Sequence, residues 1–448
     1  MRRAVCGQWT GRVVWFVQKR EKMTFGCGVS LLVLVLFPAS LTSAECIREG
    51  QESELVAAEQ NAVENSEIID EYLQASFNFS LTMFRTLLSV QNGDTVNDNL
   101  IFSPHSVWQA LVLTYLASDG ETSEKMEKAM NLGGLGKVKT AMAYNAIKYF
   151  EEVVVPENSE QNGVDDMDFL GASDNGKANK GYQLDSVNKI YFDTHLRDHL
   201  NPAMTRFLGE EIKTVDFVND AENQRLKINQ FVAELTRGKI KDLLSPGKIS
   251  PQTLMALVNA AYFKGQWLHP FDPKETRWAN FHLSNGEMVN VPTMHLEDTY
   301  FPIGASRELE AGIVELPYAS GDGRDISMFI VIPSGTQTID DILLKLTPEN
   351  LRTARMHMGR KQLSLLAMPK FKLEDSFELT PIFNSMDLGD LFVAGSANLT
   401  CLAPRLGGLA LSSADHKAAI EVNEEGTEAA AATAFIQLRW VERFQYGK

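Results

Sequence analysis

The sequence has few basic residues for its length. Its 448 residues include 42 Lys and Arg against 58 Asp and Glu, giving a formal net charge of −16. A surface of this sign repels phosphate groups, so we expect neither a nucleic-acid partner nor an anionic membrane. Sixteen Pro and 31 Gly are too few for a collagen-like or low-complexity chain, and no internal repeat is present. With 44% hydrophobic residues, the sequence predicts an ordinary folded protein with an acidic surface.

The sequence also lacks an apolar run long enough to cross a membrane. Its most apolar stretch is residues 29–37, short of the ~20 residues that a spanning helix needs. Basic residues precede this stretch, and Thr42, Ser43 and Ala44 follow it. We therefore predict a signal peptide at residues 1–44, with Met23 as an alternative start, and a secreted, extracellular chain. A signal anchor is the competing interpretation.

Cysteine is scarce. Of four cysteines, Cys6 and Cys27 lie in the predicted signal, which leaves Cys46 and Cys401. Two cysteines cannot build a disulfide framework, so the hydrophobic core must stabilise the fold. The two cysteines could pair, or Cys46 could be free, and the sequence leaves both possibilities open.

Composition divides the mature chain into three kinds of segment. Residues 45–65 predict an acidic, flexible N-terminal tail, and residues 66–448 a single domain. Within that domain, residues 156–181 are rich in Asn, Gly, Asp and Ser and predict an exposed loop insertion. Asn78 and Asn398 begin N-x-S/T sequons, so we predict glycosylation at both positions.

Hydrophobic periodicity indicates mixed secondary structure. Residues 77–88 have helical spacing, and residues 100–102 predict a short strand that leads into a helix capped by Ser103. The nearly continuous apolar run at residues 254–263 is typical of a strand that is covered on both faces. Asn285-Gly286 predicts a hairpin turn. Helices and strands do not alternate regularly, which favours an α+β fold in one large domain.

The sequence lacks the motifs of an enzyme. It has no G-x-S-x-G and no cysteine with plausible catalytic partners. His195 and His199 have the i, i+4 spacing of metal ligands, but no third ligand lies beside them. The glycine-rich residues 133–137 lack phosphate-loop spacing and follow a helix, so we interpret them as a linker. We therefore expect no enzyme activity, no cofactor and no metal.

Residues 421–434 are the most informative segment. As a strand, the segment would have only small residues on one face: Thr427, Ala429, Ala431 and Thr433. Glu428 lies on the other face, and Gly426 could act as a pivot because glycine adopts positive φ freely. Such a strand could slide into a sheet without steric obstruction. An alanine-rich helix or linker is the alternative.

Several motifs follow one another in a fixed order over residues 66–434. They are Asn99-Leu-Ile-Phe-Ser-Pro-His-Ser106, Ser118-Asp-Gly-Glu-Thr122, Ile228-Asn-Gln-Phe-Val-Ala-Glu-Leu-Thr-Arg-Gly-Lys-Ile240, Val258-Asn-Ala-Ala-Tyr-Phe-Lys-Gly-Gln-Trp267, Glu315-Leu-Pro-Tyr318, Met368-Pro-Lys-Phe-Lys372 and Asp415-His-Lys417. Together with the hinge segment they resemble the serpin family, and in particular its secreted, arthropod-type inhibitory members. Any one match is weak, but their ordered conjunction is strong.

The resemblance implies a fold and a mechanism. The serpin fold has helices around a large central β-sheet, two smaller sheets and an exposed reactive-centre loop. A serine protease attacks a bait bond in that loop, and the cut loop then inserts into the central sheet and traps the acyl-enzyme. The implied partner is an extracellular trypsin- or chymotrypsin-like protease, bound by a monomer. Because no dense basic stripe is present, we do not expect glycosaminoglycan binding.

The resemblance also implies site residues. The hinge is Glu424, Gly426, Thr427, Ala429, Ala431 and Thr433, and the sheet-opening region is Ser103, Ser106, Asn259, His416, Trp267 and Lys370. Lys370 is expected to pair with Glu424. The bait bond falls at Trp440-Val441, fourteen residues after Gly426, with Arg439 and Arg443 as alternatives.

One departure from the family pattern lies at the C-terminus. A serpin continues for some tens of residues after its bait loop, whereas this sequence ends eight residues past Trp440. We therefore expect either a truncated sequence or an isoform that lacks the C-terminal strands. The predicted function is secreted protease inhibition in residues 66–448, with the hinge and loop at 424–444. The alternatives are a non-inhibitory carrier or chaperone and an inactive truncated isoform.

Overall fold

A computed structural model describes residues 17–20, 46–48, 55, 66–91, 99–152, 182–283, 287–319, 325–412 and 414–430. The helices are α1 (Ser66–Gln91), α2 (Pro104–Ala117), α3 (Gly120–Ala129), α4 (Gly136–Glu152), α5 (Pro202–Leu208), α6 (Phe217–Leu235), α7 (Ile339–Lys345), α8 (Pro348–Met356) and α9 (Thr380–Ser385). The strands are β1 (Val17–Arg20), β2 (Tyr182–Asp193), β3 (Ile212–Val215), β4 (Met255–Gln266), β5 (Arg277–His282), β6 (Met288–Ser306), β7 (Ala311–Pro317), β8 (Asp325–Pro333), β9 (Gly359–Pro369), β10 (Phe371–Glu378), β11 (Asp415–Val422) and β12 (Gly426–Ala430).

The central sheet has the strand order β10-β11-β12-β4-β2-β3. Its strands pair antiparallel except for β2 and β3, which are parallel. β4 confirms the strand predicted from the apolar run at residues 254–263. Val258 and Tyr262 are buried in one hydrophobic cluster, and Leu257 and Phe263 are buried in two others. Both faces of the strand are therefore covered, as the continuous apolar pattern requires.

A second network of strands has the order β1-β8-β7-β6-β5, with β9 also paired to β6. The long β6 joins two smaller sheets, because it pairs with β5 and β9 along residues 288–303 and with β7 over residues 303–306. β1 lies within the predicted signal peptide and pairs with β8. Mixed helices around one large sheet and these two smaller ones confirm the predicted α+β fold class.

Helix α2 is buried on nearly every side and supports the central sheet. Ser103 caps its N-terminus by accepting a hydrogen bond from the N–H of Ser106, and Pro104 occupies the first turn, as predicted. The Trp108 ring contacts Tyr72 and Phe79 of α1 with centroids 5.6 and 5.3 Å away. Every residue of α2 except His105 is buried, so the helix has no solvent face and lies within the main core.

One local prediction was wrong, and a second disagrees with the structure at the few positions described. Residues 100–102 form no strand, because their polar groups bond elsewhere: the Ile101 N–H donates to the Asp375 carboxylate at 2.7 Å. The predicted flexible tail is anchored at the described positions, since Cys46 is bonded to Cys401 and both Ile47 and Leu55 lie in the core. At these positions, buried apolar side chains and a covalent bond outweigh the acidic composition.

Several predicted features lie outside the described residues. They are the loop insertion at 156–181, the Asn285-Gly286 turn and the chain from residue 431 onward. Among the helices that the structure does describe, none combines the length and the hydropathy needed to cross a membrane.

Candidate functional site

Strand β12 occupies the middle of the central sheet. It pairs antiparallel with β11, where Thr427 lies opposite Val422, and with β4, where Thr427 lies opposite Gly265. The five residues of β12, which include the predicted hinge residues Gly426, Thr427 and Ala429, thus separate two strands that would otherwise be neighbours. The strand alternative for this segment holds at residues 426–430, and the helix alternative is wrong there.

Gly426 is required by close packing. A Cβ atom at this position would lie 1.9 Å from the carbonyl oxygen of Gly265 and 2.9 Å from Cα of Gln266. Gly426 is absent from the glycines with positive φ, so our interpretation of it as a left-handed pivot was wrong. The glycine lets the hinge backbone lie directly against β4.

Thr427 is held by an aromatic group that sequence reasoning had not assigned to the site. Its buried hydroxyl accepts a hydrogen bond from the Tyr318 hydroxyl at 2.8 Å. The Tyr318 ring stacks on Trp267 at 4.7 Å between centroids and meets the edge of Phe263 at 5.1 Å. Complete burial raises the pKa of Tyr318, which keeps its hydroxyl protonated and able to donate.

Glu424 anchors the upper end of the hinge. Its carboxylate accepts hydrogen bonds from Nζ of Lys370 and the hydroxyl of Thr276, both at 2.8 Å, so the predicted Lys370–Glu424 pair is confirmed. Burial acts to raise the pKa of Glu424, but the bonds from Lys370 and Thr276 outweigh it and lower the pKa below its ordinary value. The carboxylate is therefore ionised at neutral pH and fixes the turn before β12.

Asn423 and Trp267 complete this turn. The Asn423 side-chain oxygen accepts from the N–H groups of Glu425 and Gly426, at 3.1 and 3.2 Å. The indole Nε1 of Trp267 donates to the Asn423 carbonyl at 3.0 Å, and its backbone N–H donates to the Glu425 carbonyl at 2.9 Å. The sequence alone did not identify Asn423 as a site residue, because only its position just before the hinge set it apart.

The structure brings the other predicted sheet-opening residues together lower in the sheet. The Asn259 side chain donates to the Ser106 carbonyl at 2.7 Å and to the Asn188 side chain at 2.5 Å. Asn188 in turn donates to Gln109 of α2 at 2.5 Å. Asn188 and Gln109 were missed, because neither is remarkable in sequence and only the pairing of β2 with β4 places them here.

His416 is the titratable member of this lower cluster. Its Nε2 accepts a hydrogen bond from the Ser103 N–H at 2.9 Å, so we assign the proton to Nδ1. Burial lowers the pKa of His416 to about 4, so the ring is neutral. Nδ1 of His416 and the side-chain oxygen of Asn259 are buried with no hydrogen-bond partner in the described part of the chain. One is a donor and the other an acceptor.

The remaining candidates have structural roles or lie outside the described residues. Nδ1 of His195 bonds to Asp193, whose carboxylate also caps α6, and this explains His195 without a metal. Cys46 and Cys401 form a disulfide. The described residues do not include Ala431, Thr433 or the bait candidates Arg439, Trp440, Val441 and Arg443. Asn78 and Asn398 are half-buried, on α1 and in a loop.

The large sheet of this protein thus contains β12, whose residues are small apart from Glu428, between β11 and β4. The family model described as Serpin (serine protease inhibitor) matches residues 74–446. The sequence is 31% identical to Serpin B6 of Macaca fascicularis, covering 84% of this chain and 92% of that protein. It is 32% identical to plasminogen activator inhibitor 2 of Homo sapiens, covering 79% and 88%. The chain therefore belongs to the serpin family.

Solved structures agree with this assignment. Ovalbumin from emu (Dromaius novaehollandiae) matches with a TM-score of 0.67 and 26% identity, covering 84% of this chain and 92% of that one. A structure titled Cleaved Serpin 42Da matches with a TM-score of 0.65 and 26% identity, covering 82% and 90%. Serpins are mostly protease inhibitors rather than enzymes, so a protease is a plausible partner for this chain.

Proposed function

We propose that this serpin is a secreted inhibitor that traps a trypsin- or chymotrypsin-like serine protease by loop insertion. The observation that carries the proposal is the position of β12 between β11 and β4. The central sheet already holds the first residues of the hinge, in the orientation that a longer inserted strand would continue. Inhibition requires only that the same pairing extend along the sheet after the loop is cut.

The two registers of β12 identify where the extended strand would reach the lower cluster. Ala430 lies opposite Ala419 of β11, so three residues further on Thr433 would lie opposite His416. Ala429 lies opposite Phe263 of β4, so four residues further on Thr433 would lie opposite Asn259. One hydroxyl can accept from Nδ1 of His416 and donate to the oxygen of Asn259. Insertion would thus satisfy both unpartnered polar atoms.

The energy of this extension favours trapping. A net gain of ~0.5–1.5 kcal/mol for each backbone hydrogen bond, over about ten inserted residues, amounts to on the order of 10 kcal/mol. Pairing the buried atoms of His416 and Asn259 adds to this gain, because an unsatisfied buried polar group costs about 1–3 kcal/mol. Insertion is therefore effectively irreversible, and the native form is a kinetically trapped state.

The chemistry of the cut belongs to the protease. Its catalytic serine attacks the bait carbonyl and forms an acyl-enzyme. Insertion then displaces the attached protease and distorts it before water hydrolyses the ester. Large side chains beyond the small hinge set the target: Trp440 suits a chymotrypsin-like pocket, and Arg439 or Arg443 suits a trypsin-like one.

Two features support secretion. Residues 1–44 have the pattern of a signal peptide. The Cys46–Cys401 disulfide is the kind of bond that persists in oxidising compartments. N-terminal analysis of protein from the culture medium should give a start near Glu45, and a membrane-retained chain with residues 23–44 intact would contradict secretion.

The experiment for inhibition is incubation of the chain with trypsin and with chymotrypsin, followed by electrophoresis in SDS. We expect a covalent complex that survives denaturation, and a released peptide that begins between residues 439 and 444 by mass spectrometry. Cleaved product without any complex, for every protease tried, would favour a non-inhibitory serpin. Cleavage confined to residues 426–434 would contradict the bait assignment.

A further inference from the structure

A buried lysine lies against the disulfide, far from the hinge in sequence. The disulfide joins Cys46 to Cys401 across 355 residues, and Cys401 is 1% exposed whereas Cys46 is only half-buried. Lys137 of α4 is 2% exposed. Its Nζ lies 3.2 Å from Sγ of Cys401 and also donates to the carbonyl oxygen of Ser118.

The surroundings of Lys137 keep its ammonium charged and would stabilise an anion beside it. Its Nζ lies over the Tyr115 ring, 5.7 Å from the centroid. Burial lowers the pKa of Lys137 to about 8, while the carboxylates of Asp119 and Glu127 act in the opposite direction. The ammonium is therefore the main form at neutral pH. Burying a lysine is costly unless it is paired, yet a neutral disulfide sulfur is a weak acceptor.

We propose that the Cys46–Cys401 disulfide is a thiol-exchange site, at which a small thiol attacks Cys46 and Lys137 stabilises Cys401 as the leaving thiolate. The incoming thiolate forms a bond to Sγ of Cys46, and the electron pair of the broken S–S bond goes to Sγ of Cys401. A second thiol can then release Cys46 as a free thiol and leave as the oxidised disulfide of the reagent. No other oxidant or reductant is needed.

Exposure and charge together determine which sulfur the thiol attacks and which sulfur leaves. The half-buried Cys46 is the more exposed of the two cysteines, whereas Cys401 is enclosed. A thiol leaves faster when its pKa is lower, and a neighbouring ammonium lowers a thiol pKa. Lys137 contacts Cys401, so the enclosed sulfur is the better leaving group.

The negative charge of Asp119 opposes the effect of the Lys137 ammonium on the two sulfur atoms. Its carboxylate lies within 4.8 Å of both sulfur atoms and is held in place by the N–H of Gly120 at 2.8 Å and the hydroxyl of Thr400 at 3.3 Å. A negative charge there disfavours a thiolate at either sulfur. The two charges therefore set the reactivity of the disulfide in opposite directions, which allows a paired test.

Opening the bond would release the segment that Cys46 anchors. Ile47 and Leu55 are 1% and 0% exposed, and both belong to the core cluster that contains α1 and α2. With the covalent tie removed, non-covalent contacts such as the burial of Ile47 hold this segment. A small thiol bound at Cys46 is thus a modification that changes how the start of the chain is attached.

The test uses the full chain and glutathione without added oxidant. After a timed reaction the protein is quenched with acid, free thiols are alkylated, and the peptides with Cys46 and Cys401 are identified by mass spectrometry. We expect the glutathione adduct on Cys46 and the alkyl group on Cys401. An adduct on Cys401 would overturn the proposal.

Matched variants test the charges. Lys137→Met should slow exchange about three- to tenfold, because it raises the pKa of the leaving thiol, whereas Lys137→Arg should retain the wild-type rate. Lys139→Met, at an exposed position on the same helix, is the control. Asp119→Asn keeps a capping side chain and should make exchange faster. Unchanged rates in both Lys137→Met and Asp119→Asn would overturn the proposal even if the adduct lies on Cys46.

Discussion

At the scale of single residues, His416 determines how the lower cluster responds to pH. The ring is 1% exposed and neutral, with Nε2 bonded to the Ser103 N–H. Burial lowers its pKa to about 4, whereas a histidine in an unfolded chain titrates near 6.5. Between these two values the unfolded chain takes up a proton that the folded protein excludes. The folded protein therefore loses stability as the pH falls through this range.

We predict that this contribution is fully present above about pH 6.5 and is lost progressively toward about pH 4, to a total of ~3 kcal/mol. His416→Gln retains an acceptor for the Ser103 N–H and removes the titrating ring, so the variant should lack this part of the pH dependence. Urea unfolding of both proteins at pH 7 and pH 4.5 measures the difference. The same loss of unfolding free energy in both would show that His416 is not the group responsible.

At the scale of elements, the sequence predicted the helices and strands that are determined by residues close together in the chain. Residues 254–263 predicted β4, and Ser103-Pro104 predicted the start of α2, because apolar runs and capping residues act over a few neighbours. The residues at 100–102 misled us, because the partner of the Ile101 N–H lies 274 positions away, at Asp375. No periodicity reports such distant partners.

The residues of the candidate site could be predicted only where they belong to a motif of the family. The family resemblance placed Lys370 with Glu424 and Ser106 with Asn259, and the structure brings each pair together. Tyr318 lay within a quoted motif, but its bond to Thr427 depends on the contact between two sheets. The disulfide was undecidable from sequence, because spacing alone does not bring positions 46 and 401 together.

We predict that Gly426→Ala expels β12 from the sheet. The new Cβ would meet the Gly265 carbonyl oxygen at 1.9 Å, and that oxygen belongs to the rigid backbone of β4. Overpacking of this kind costs about 1–3 kcal/mol, which shifts the equilibrium of β12 toward the expelled form. Hydrogen exchange of the amides at 427–430 should become much faster in the variant.

Glu425→Ala is the matched control for Gly426→Ala. Glu425 is the preceding residue, its side chain is exposed, and its place in the turn depends on backbone groups that bond to Trp267 and Asn423. Its exchange rates should equal those of the wild type. Protection at 427–430 that survives in Gly426→Ala would mean that the hinge tolerates a side chain beside Gly265.

At the scale of the whole molecule, the proposed inhibition depends on the relative rates of two events. The inserted strand must extend from β12 to the lower cluster before water hydrolyses the acyl-enzyme. Thr427 is buried and faces Tyr318, so every second residue after it takes the same inward face of the strand. Ala431 belongs to this series, and any large or charged side chain there obstructs the extension.

We predict that Ala431→Glu converts the inhibitor into a substrate. A glutamate at this position would have to leave water for the packed interior of the sheet, which costs several kcal/mol unless it is protonated or paired. Each ~1.4 kcal/mol of added barrier slows insertion about tenfold, so deacylation should win while the bait bond stays accessible. Electrophoresis in SDS should show a stable complex for the wild type and only cleaved product for Ala431→Glu. Glu428→Ala is the control, because the alternation places Glu428 on the opposite face, and this variant should leave complex formation almost unchanged. Equal complex yields from Ala431→Glu and the wild type would mean that the loop does not insert.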